Sequence, residues 1–333
     1  MGWACSEAIP VTVHNQPVTR EHRLAYALVV LAATLFGLNA GVSRIPLRTG
    51  TPTDTFTTVR ITAAFAAFVL IALLFDRAAL RVPRGRELLL IVGLGLVGFA
   101  GVQWTYNVAI NRLPLSIALL LEYLGPVLVV LWVRVVRREA VHPRMWPALG
   151  LAVGGLAVVS QVWDGLTLDG LGVAMALGAA VCFAAYFLMG EHSHTVESGG
   201  PLRTILWSFA VAAVAMNLVQ PAWTADALGH DVSMLGRLSE TSLPAWVAMI
   251  YVVLLGTVTP FFLLLVALRT LSATVVSIVA MLEPVVAATV GWAWFRESLT
   301  PVQLLGMAAV LGGIVMAQTA RAVEPEPSLP PPQ

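Results

Sequence analysis

Apolar residues occur in long runs along this chain, and polar residues are largely confined to the stretches between them. Ten runs are about 20 residues long, which is enough for a helix to cross the hydrocarbon core of a bilayer. Segments 1 to 10 cover residues 24–44, 54–75, 87–110, 114–134, 144–161, 169–189, 202–220, 244–268, 271–295 and 301–319. The pattern therefore predicts an all-α polytopic membrane protein with ten transmembrane helices.

Composition supports this class, because 58% of the 333 residues are hydrophobic and only 11% are charged. Soluble domains carry about 25% charged residues. The net charge of +1 gives no reason to expect a nucleic-acid partner. The N-terminal tail 1–23 has no apolar signal-peptide region, the tail 320–333 is proline-rich and is expected to be disordered, and the one long link, 221–243, is polar.

The basic residues predict the orientation, and all nineteen of them are arginine. With a cytoplasmic N-terminus, thirteen arginines flank the cytoplasmic ends of the segments, five flank the opposite ends, and Arg60 lies within segment 2. Because cytoplasmic loops carry the excess of basic residues, both termini are expected in the cytoplasm. The arginine-only, alanine-rich composition is typical of a GC-rich bacterium, which favours a multi-pass protein of the inner (plasma) membrane.

An internal repeat is visible between residues 109–155 and 267–313, aligned without gaps at an offset of 158. The shared residues include charged, proline and glycine positions, which apolar composition alone would not align. They are Ala109, Leu113, Leu124, Pro126, Val127, Arg138, Glu139, Pro143, Gly154 and Gly155, with their counterparts 158 residues later. We interpret the chain as two five-helix repeats, 24–161 and 169–319. Because five is odd, the second repeat is inverted in the membrane, as in secondary transporters that bind cargo between their halves.

These motifs resemble the drug/metabolite transporter superfamily, specifically its ten-helix EamA-type members, and among them the threonine/homoserine exporters. The resemblance rests on LPLSIALLLEYLGPVLVVLW, LEPVVAATVGWAWFRESLTPVQLLG, TVRITAA and GTVTPFFLLLVAL. It implies that Glu122, Gly125 and Pro126 match one family motif, and that Glu283 and Pro284 match the second. It also aligns Arg60 with a family arginine and Arg44 with a frequent lysine. One such scaffold carries many cargoes, so the resemblance leaves the substrate open.

Three charged residues within the segments are the main functional candidates: Glu122, Glu283 and Arg60. A charge at bilayer depth costs at least about 2.5–3.5 kcal/mol, and such residues usually face the interior of the bundle. One interpretation is a structural ion pair of Arg60 with Glu122. A second is a substrate clamp, in which Arg60 binds a carboxylate and a glutamate binds an ammonium group. A third is a proton switch, because burial favours the neutral carboxyl.

Three prolines are expected to interrupt helices beside these charges: Pro126, Pro284 and Pro260. Proline has no N–H, so the carbonyl four residues earlier loses its helical partner. Pro126 therefore frees the carbonyl of Glu122, and Pro284 frees that of Ala280. Pro260 is expected to act as a hinge.

Four uncharged polar residues are weaker candidates: Asn39, Gln103, Tyr106 and Asn107. The last three share roughly one face of segment 3, and Asn39 can pair with Ser43 one turn later. Lining a cavity and hydrogen bonding between helices are both consistent with their positions.

The sequence thus predicts a secondary transporter that exports a small polar metabolite, such as an amino acid, by alternating access and in exchange for protons. A cationic drug, a nucleobase or a sugar derivative remains an alternative cargo. No hydrolase or metalloprotease motif, metal-ligand spacing or Walker A sequence occurs, so an enzyme, a metal site or a cofactor is not expected. The expected partners are the cargo, protons and the lipid bilayer, and the oligomeric state is not predicted.

Overall fold

The structure is a computed structural model that describes residues 20–48, 51–113, 115–159, 169–196, 199–222, 231–296 and 300–319. Both predicted tails, 1–23 and 320–333, lie outside these ranges except for residues 20–23. In the described part, eight apolar helices are long enough to cross a membrane, and two shorter ones span Met145–Val159 and Pro301–Ala317. The prediction of an all-α polytopic protein with about ten helices is therefore confirmed.

Single helices form segments 1, 2, 5, 6, 7 and 10, whereas segments 3, 4, 8 and 9 each contain two helices. In the first half these are α1 (Arg20–Arg48), α2 (Thr53–Phe75), α3 (Arg86–Gly93), α4 (Val102–Arg112), α5 (Leu115–Glu122), α6 (Gly125–Val135) and α7 (Met145–Val159). In the second half they are α8 (Gly170–Val196), α9 (Gly200–Val219), α10 (Ala245–Val253), α11 (Thr259–Ala267), α12 (Ala273–Ala280), α13 (Leu282–Ala293) and α14 (Pro301–Thr319).

Two local features differ from the sequence prediction. Segment 6 was expected to end at residue 189, but α8 continues to Val196. The polar link 221–243 contains an antiparallel hairpin of β1 (Asp231–Ser233) and β2 (Ser242–Pro244) around a short 3₁₀ turn. The indole Nε1 of Trp294 donates to the carbonyl of Met234 at 3.1 Å, which ties the hairpin to the end of segment 9.

Residues 158 positions apart adopt the same backbone features. α5 ends at Glu122 and α12 ends at Ala280, which are equivalent in the aligned repeat. Arg138 and Arg296, also equivalent, both have a positive φ, 57° and 59°. Segments 3 and 8 switch to π-helix over Leu94–Gly101 and Leu254–Val258, which overlap at the same offset. Helix breaks and π turns therefore recur at matching places in the two halves.

Glycines bring α7 and α14 into close contact along their length. A Cβ at Gly155 would lie 2.7 Å from the carbonyl oxygen of Gly306 and 2.8 Å from the amide nitrogen of Val310. A Cβ at Gly313 would lie 2.6 Å from the carbonyl oxygen of Ala148. Small residues allow such approach in membranes, where van der Waals packing drives helix association. The fifth helices of the two halves are thus packed backbone against backbone.

One end of the bundle is held by a carboxylate that joins three segments. Glu191, near the end of α8, pairs through Oε2 with Nη1 of Arg137, which follows α6. Its other oxygen, Oε1, accepts the N–H of Ala273 at the start of α12, at 2.9 Å. We refer to Arg137, Glu191 and Ala273 as the ionic latch. It connects the first half to two helices of the second half.

The opposite end has a weaker connection between the halves. Arg112, at the end of α4, lies 3.2 Å from Asp169, just before α8, and the two side chains are 46% and 41% exposed. The backbone N–H of Gly172 and the Arg112 guanidinium both bind the Asp169 carboxylate, and they lower its pKa. Exposed ion pairs of this kind contribute little to stability.

The close packing of α7 on α14 predicts a difference between two neighbouring glycines. Gly155→Ala is expected to lower the free energy of unfolding by about 1–3 kcal/mol, because the added methyl group collides with the backbone of α14. Gly154→Ala is the matched control, since a Cβ there meets no atom within 4 Å. Thermal melting of the two purified variants in detergent measures the effect. Equal melting temperatures would contradict the packing.

Candidate functional site

Arg60 binds across the two halves, to the π turn of segment 8. Its Nε donates to Oγ1 of Thr257 at 2.6 Å, and its Nη2 donates to the carbonyl oxygen of Gly256 at 2.8 Å. Gly256 lies four residues before Pro260, which has no N–H to offer that carbonyl. The guanidinium thus supplies a donor to the carbonyl that Pro260 leaves without its α-helical partner.

These contacts of Arg60 differ from the structural ion pair with Glu122, which is one interpretation of the sequence. In the part of the chain that the structure describes, no ion pair within 4.0 Å joins Arg60 to Glu122 or Glu283. Arg60 still interacts electrostatically with Glu283. The direct Arg60–Glu122 ion pair is not formed in this conformation, because the guanidinium binds Gly256 and Thr257 instead.

Asn39 lies directly against the same π turn. Its Oδ1 and Cγ occupy the space where a side chain at Gly256 would begin, and its Oδ1 accepts a hydrogen bond from Ser43 at 3.2 Å. Two residues earlier, Gly37 lets α1 approach α13 so closely that a Cβ there would lie 2.8 Å from the carbonyl oxygen of Glu283. Segment 1 therefore contacts both the π turn that binds Arg60 and the start of α13.

The polar face of segment 3 divides into three different environments. The Nδ2 of Asn107 donates to Oγ1 of Thr57, one turn before Arg60, so Asn107 forms a hydrogen bond between helices. Gln103 is buried, and neither atom of its amide has a hydrogen-bond partner in the described structure. Tyr106 interacts electrostatically with Arg60, Glu122 and Glu283, which places it among the charges.

Glu283 is held by a residue that the sequence reading did not select, Tyr123. The Tyr123 hydroxyl donates to Oε2 of Glu283 at 2.7 Å. The same hydroxyl lies 3.5 Å from the carbonyl oxygen of Ala280, the carbonyl that Pro284 leaves without a helical N–H. Tyr123 occupies the break between α5 and α6, so this contact also joins the two halves.

Glu122 completes the charged cluster. It is buried, with 8% of its surface exposed, and its charge interacts with that of Glu283. No described residue donates a hydrogen bond to its carboxyl group. Among the two carboxyl groups of the cluster, Glu122 is therefore the one without a hydrogen-bond donor in the described part of the chain.

The prolines act in different ways at the three predicted positions. Pro126 is the second residue of α6, and Pro284 is the third residue of α13, each just after a true helix break. Pro260 is the second residue of α11, which directly follows the π turn, so no non-helical residue interrupts segment 8 at this point. The extra residue in the π turn accommodates Pro260 without a break.

A separate cavity of about 260 Å³ lies between segments 1, 8 and 9 and the β hairpin. Its lining is almost wholly apolar and includes Leu38, Val42, Tyr251 and Trp294. None of the predicted site residues lines it. An apolar cavity of this kind has no group to recognise a charged metabolite, so the polar cluster is the better candidate site.

The structure thus collects most of the predicted residues at the junction of the two halves. Arg60, Asn39, Tyr106, Glu122 and Glu283 belong to one neighbourhood. Asn107 is linked to it through segment 2, where it donates a hydrogen bond to Thr57, one turn before Arg60. The residues that sequence reasoning missed, and that complete the site, are Tyr123, Gly256 and Thr257.

The sequence of this chain matches a family of transporters and several individual proteins. A sequence profile described as the EamA-like transporter family matches residues 23–161 and 170–319. The threonine/homoserine exporter RhtA of Escherichia coli (strain K12) is 30% identical over 306 residues, covering 91% of this chain and 92% of that protein. An uncharacterized transporter of Archaeoglobus fulgidus is 27% identical over 295 residues, covering 89% of this chain and 96% of that protein.

A solved crystal structure of a protein that is 16% identical superposes with a TM-score of 0.68. The match covers 90% of this chain and 97% of that chain. At this level of identity the likeness concerns the fold alone.

Proposed function

Because the chain belongs to the EamA-like transporter family, we propose that it is a secondary transporter that exports an amino acid or a close derivative from the cell, in exchange for protons. It is a multi-pass membrane protein of the inner membrane and not an enzyme. The observation that carries the proposal is the buried cluster of one guanidinium and two carboxyl groups at the junction of the two halves.

The charges of the cluster suit a zwitterionic cargo. Arg60 uses two of its five N–H donors on segment 8, which fixes the guanidinium plane and leaves donors for a carboxylate. Glu122 and Glu283 are the acceptors for an ammonium group. A relative that is 30% identical carries the name threonine/homoserine exporter, which supports an amino acid as the first cargo to test.

Proton exchange is the second part of the proposal. Two carboxylates that interact in a buried site disfavour being ionised together. One proton, or one ammonium group of the cargo, relieves that repulsion. Competition between the two for the same carboxyl pair would couple outward movement of the cargo to inward movement of protons.

Alternating access requires that each end of the bundle can open in turn. The ionic latch joins α6 to α8 and α12, so it must break before the cluster can open at that end. The positive-inside pattern assigns this end, with its arginines, to the cytoplasm. In the proposed orientation, with both termini in the cytoplasm, the ionic latch would close the cluster toward the cytoplasm.

Other cargoes remain alternatives, since paired glutamates with one arginine are also consistent with a cationic drug, a nucleobase or a sugar derivative. Thermal-shift screening of the purified protein against each class discriminates among them. Stabilisation by threonine and homoserine, but not by organic cations, supports the proposal. Stabilisation by cations alone would replace it with drug efflux.

Neutralising the carboxyl groups tests both the cargo and the proton. Glu122→Gln and Glu283→Gln are each expected to reduce threonine efflux driven by a pH gradient at least about tenfold, equivalent to one lost charge-assisted interaction. Efflux is measured from proteoliposomes over a range of internal and external pH. A clamp role raises KM and keeps the pH dependence, whereas a proton role abolishes the pH dependence.

The matched control is Glu139→Gln, which removes an exposed carboxylate outside the segments and should leave efflux unchanged. Wild-type efflux and wild-type pH dependence in both site variants would contradict a role for these glutamates in transport.

Loss of the ionic latch should open the end that it holds. Glu191→Gln removes the charge that binds Arg137 and weakens the cap on α12, so the open state is expected to gain roughly tenfold in population. A cysteine at buried Ser277, one turn into α12, reports the change in a background without Cys5 and Cys182. A membrane-impermeant maleimide is applied to inside-out vesicles, and labelling should rise.

Asp169→Asn serves as the control, because it removes an exposed ion pair at the opposite end. Labelling that is the same in Glu191→Gln and in the wild type would show that the latch does not hold the closed state.

A further inference from the structure

The Tyr123 hydroxyl lies close to two hydrogen-bond acceptors, and the protonation of Glu283 determines which of them it can bind. It is 2% exposed, and its hydroxyl lies 2.7 Å from Oε2 of Glu283 and 3.5 Å from the carbonyl oxygen of Ala280. The two acceptors flank the break between α12 and α13, whereas Tyr123 lies within the break between α5 and α6. One hydroxyl therefore connects the two helix breaks.

A phenol has one O–H donor, so it can donate to only one of these acceptors at a time. When Glu283 is ionised, the hydroxyl donates to the carboxylate, which is the stronger acceptor. When Glu283 takes up a proton, its own O–H becomes a donor and can bind the Tyr123 oxygen. The Tyr123 proton is then free to turn to the Ala280 carbonyl. One proton is added to Glu283, and tyrosine keeps its own.

The Ala280 carbonyl is a fitting second acceptor because its helical donor is missing. Residue 284 is proline, which cannot offer the N–H that would close the turn. An unsatisfied carbonyl at this depth costs free energy, and a donor from Tyr123 lowers that cost. The hydrogen bond to Ala280 also binds segment 4 to the main chain of segment 9 rather than to a movable side chain.

We propose that Tyr123 is a positioning residue that changes its hydrogen-bond acceptor with the protonation state of Glu283. This change alters the contact between Tyr123 and the helix break of segment 9. With Glu283 ionised, Tyr123 holds the side chain of Glu283 in place. With Glu283 protonated, Tyr123 holds the backbone at Ala280. The inference rests on the proposed function, because it assumes that Glu283 exchanges protons during transport.

Among the described residues, only one half contributes a tyrosine that contacts a freed carbonyl of the other half. In the repeat, position 123 corresponds to Met281 and position 280 to Glu122, so no second tyrosine faces a freed carbonyl in the same way. The aligned repeats therefore differ at the contact that joins their breaks. Because of this asymmetry, protonation of Glu283 changes the contact at the helix break of segment 9. No equivalent residue makes such a contact at the break of segment 4.

Two groups act on Glu283: Tyr123 from the break in segment 4 and Arg60 from α2. Glu283 in turn acts on Glu122 of α5 and on Tyr106 of α4. Arg44 of α1 acts on Tyr106. Helix α14 contains no titratable residue.

Removing the Tyr123 hydroxyl tests the inference. In Tyr123→Phe the ring still packs edge-on to Phe183, at 5.8 Å between centroids, but the ionised Glu283 loses a donor. The midpoint of the pH profile of threonine efflux is therefore expected to move toward higher pH by at least about one unit. Tyr186→Phe is the matched control, because Tyr186 is equally buried and donates to the carbonyl of Phe261 at 3.4 Å, outside the cluster.

A second variant should act in the opposite direction. Pro284→Ala supplies an N–H that can bind the Ala280 carbonyl, so protonated Glu283 loses the advantage of Tyr123 turning to that carbonyl. The midpoint is then expected to move toward lower pH. Midpoints of both variants equal to that of the wild type would overturn the inference.

A readout without transport separates this inference from the proposed function. Infrared titration of the purified protein follows the protonated carboxyl band that disappears in Glu283→Gln, and Tyr123→Phe should move its midpoint as above. If wild-type efflux shows no dependence on pH, the proton-coupled function fails. If the wild type is proton-coupled but the Tyr123→Phe band titrates as in the wild type, only the role of Tyr123 fails.

Discussion

Hydrocarbon offers no hydrogen-bond partners, and the site of this protein is organised by that constraint. Pro260 and Pro284 each deprive a main-chain carbonyl of the second half of its helical N–H, and a polar side chain from the first half lies at each of these carbonyls. Arg60 donates to Gly256, four residues before Pro260, and Tyr123 approaches Ala280, four residues before Pro284. The halves are therefore joined at bilayer depth by donors on one side and freed carbonyls on the other.

This mode of contact explains why the site is asymmetric on a repeated scaffold. Helix breaks and π turns recur at an offset of 158 residues, but the side chains at the breaks do not. Glu122 corresponds to Ala280, and Tyr123 corresponds to Met281. The first half contributes a free carboxyl group and two donors, whereas the second contributes Glu283 and the carbonyls. The two sides of the junction therefore present different chemical groups on one repeated scaffold.

Much of the fold was predictable from the sequence, since apolar runs of bilayer length leave few alternatives to helices. Glu122, Glu283 and Arg60 could be found because charges are rare and costly within such runs. Tyr123 could not be found in this way, because an aromatic residue among leucines is typical of packing. The partner of Arg60 depends on a π turn in LLGTVTP, and only tertiary contact shows which carbonyl it leaves available. Strands of three residues are too short for periodicity to reveal the hairpin.

We propose that cargo binds at the junction formed by Arg60, Glu122 and Glu283. The most direct measurement is an experimental structure of the protein in lipid with threonine bound. The threonine carboxylate is expected within about 2.7–3.2 Å of a guanidinium nitrogen of Arg60, with its ammonium group beside Glu122 or Glu283. Threonine bound away from all three residues, for example in the apolar cavity beside Trp294, would show that the junction is not the binding site.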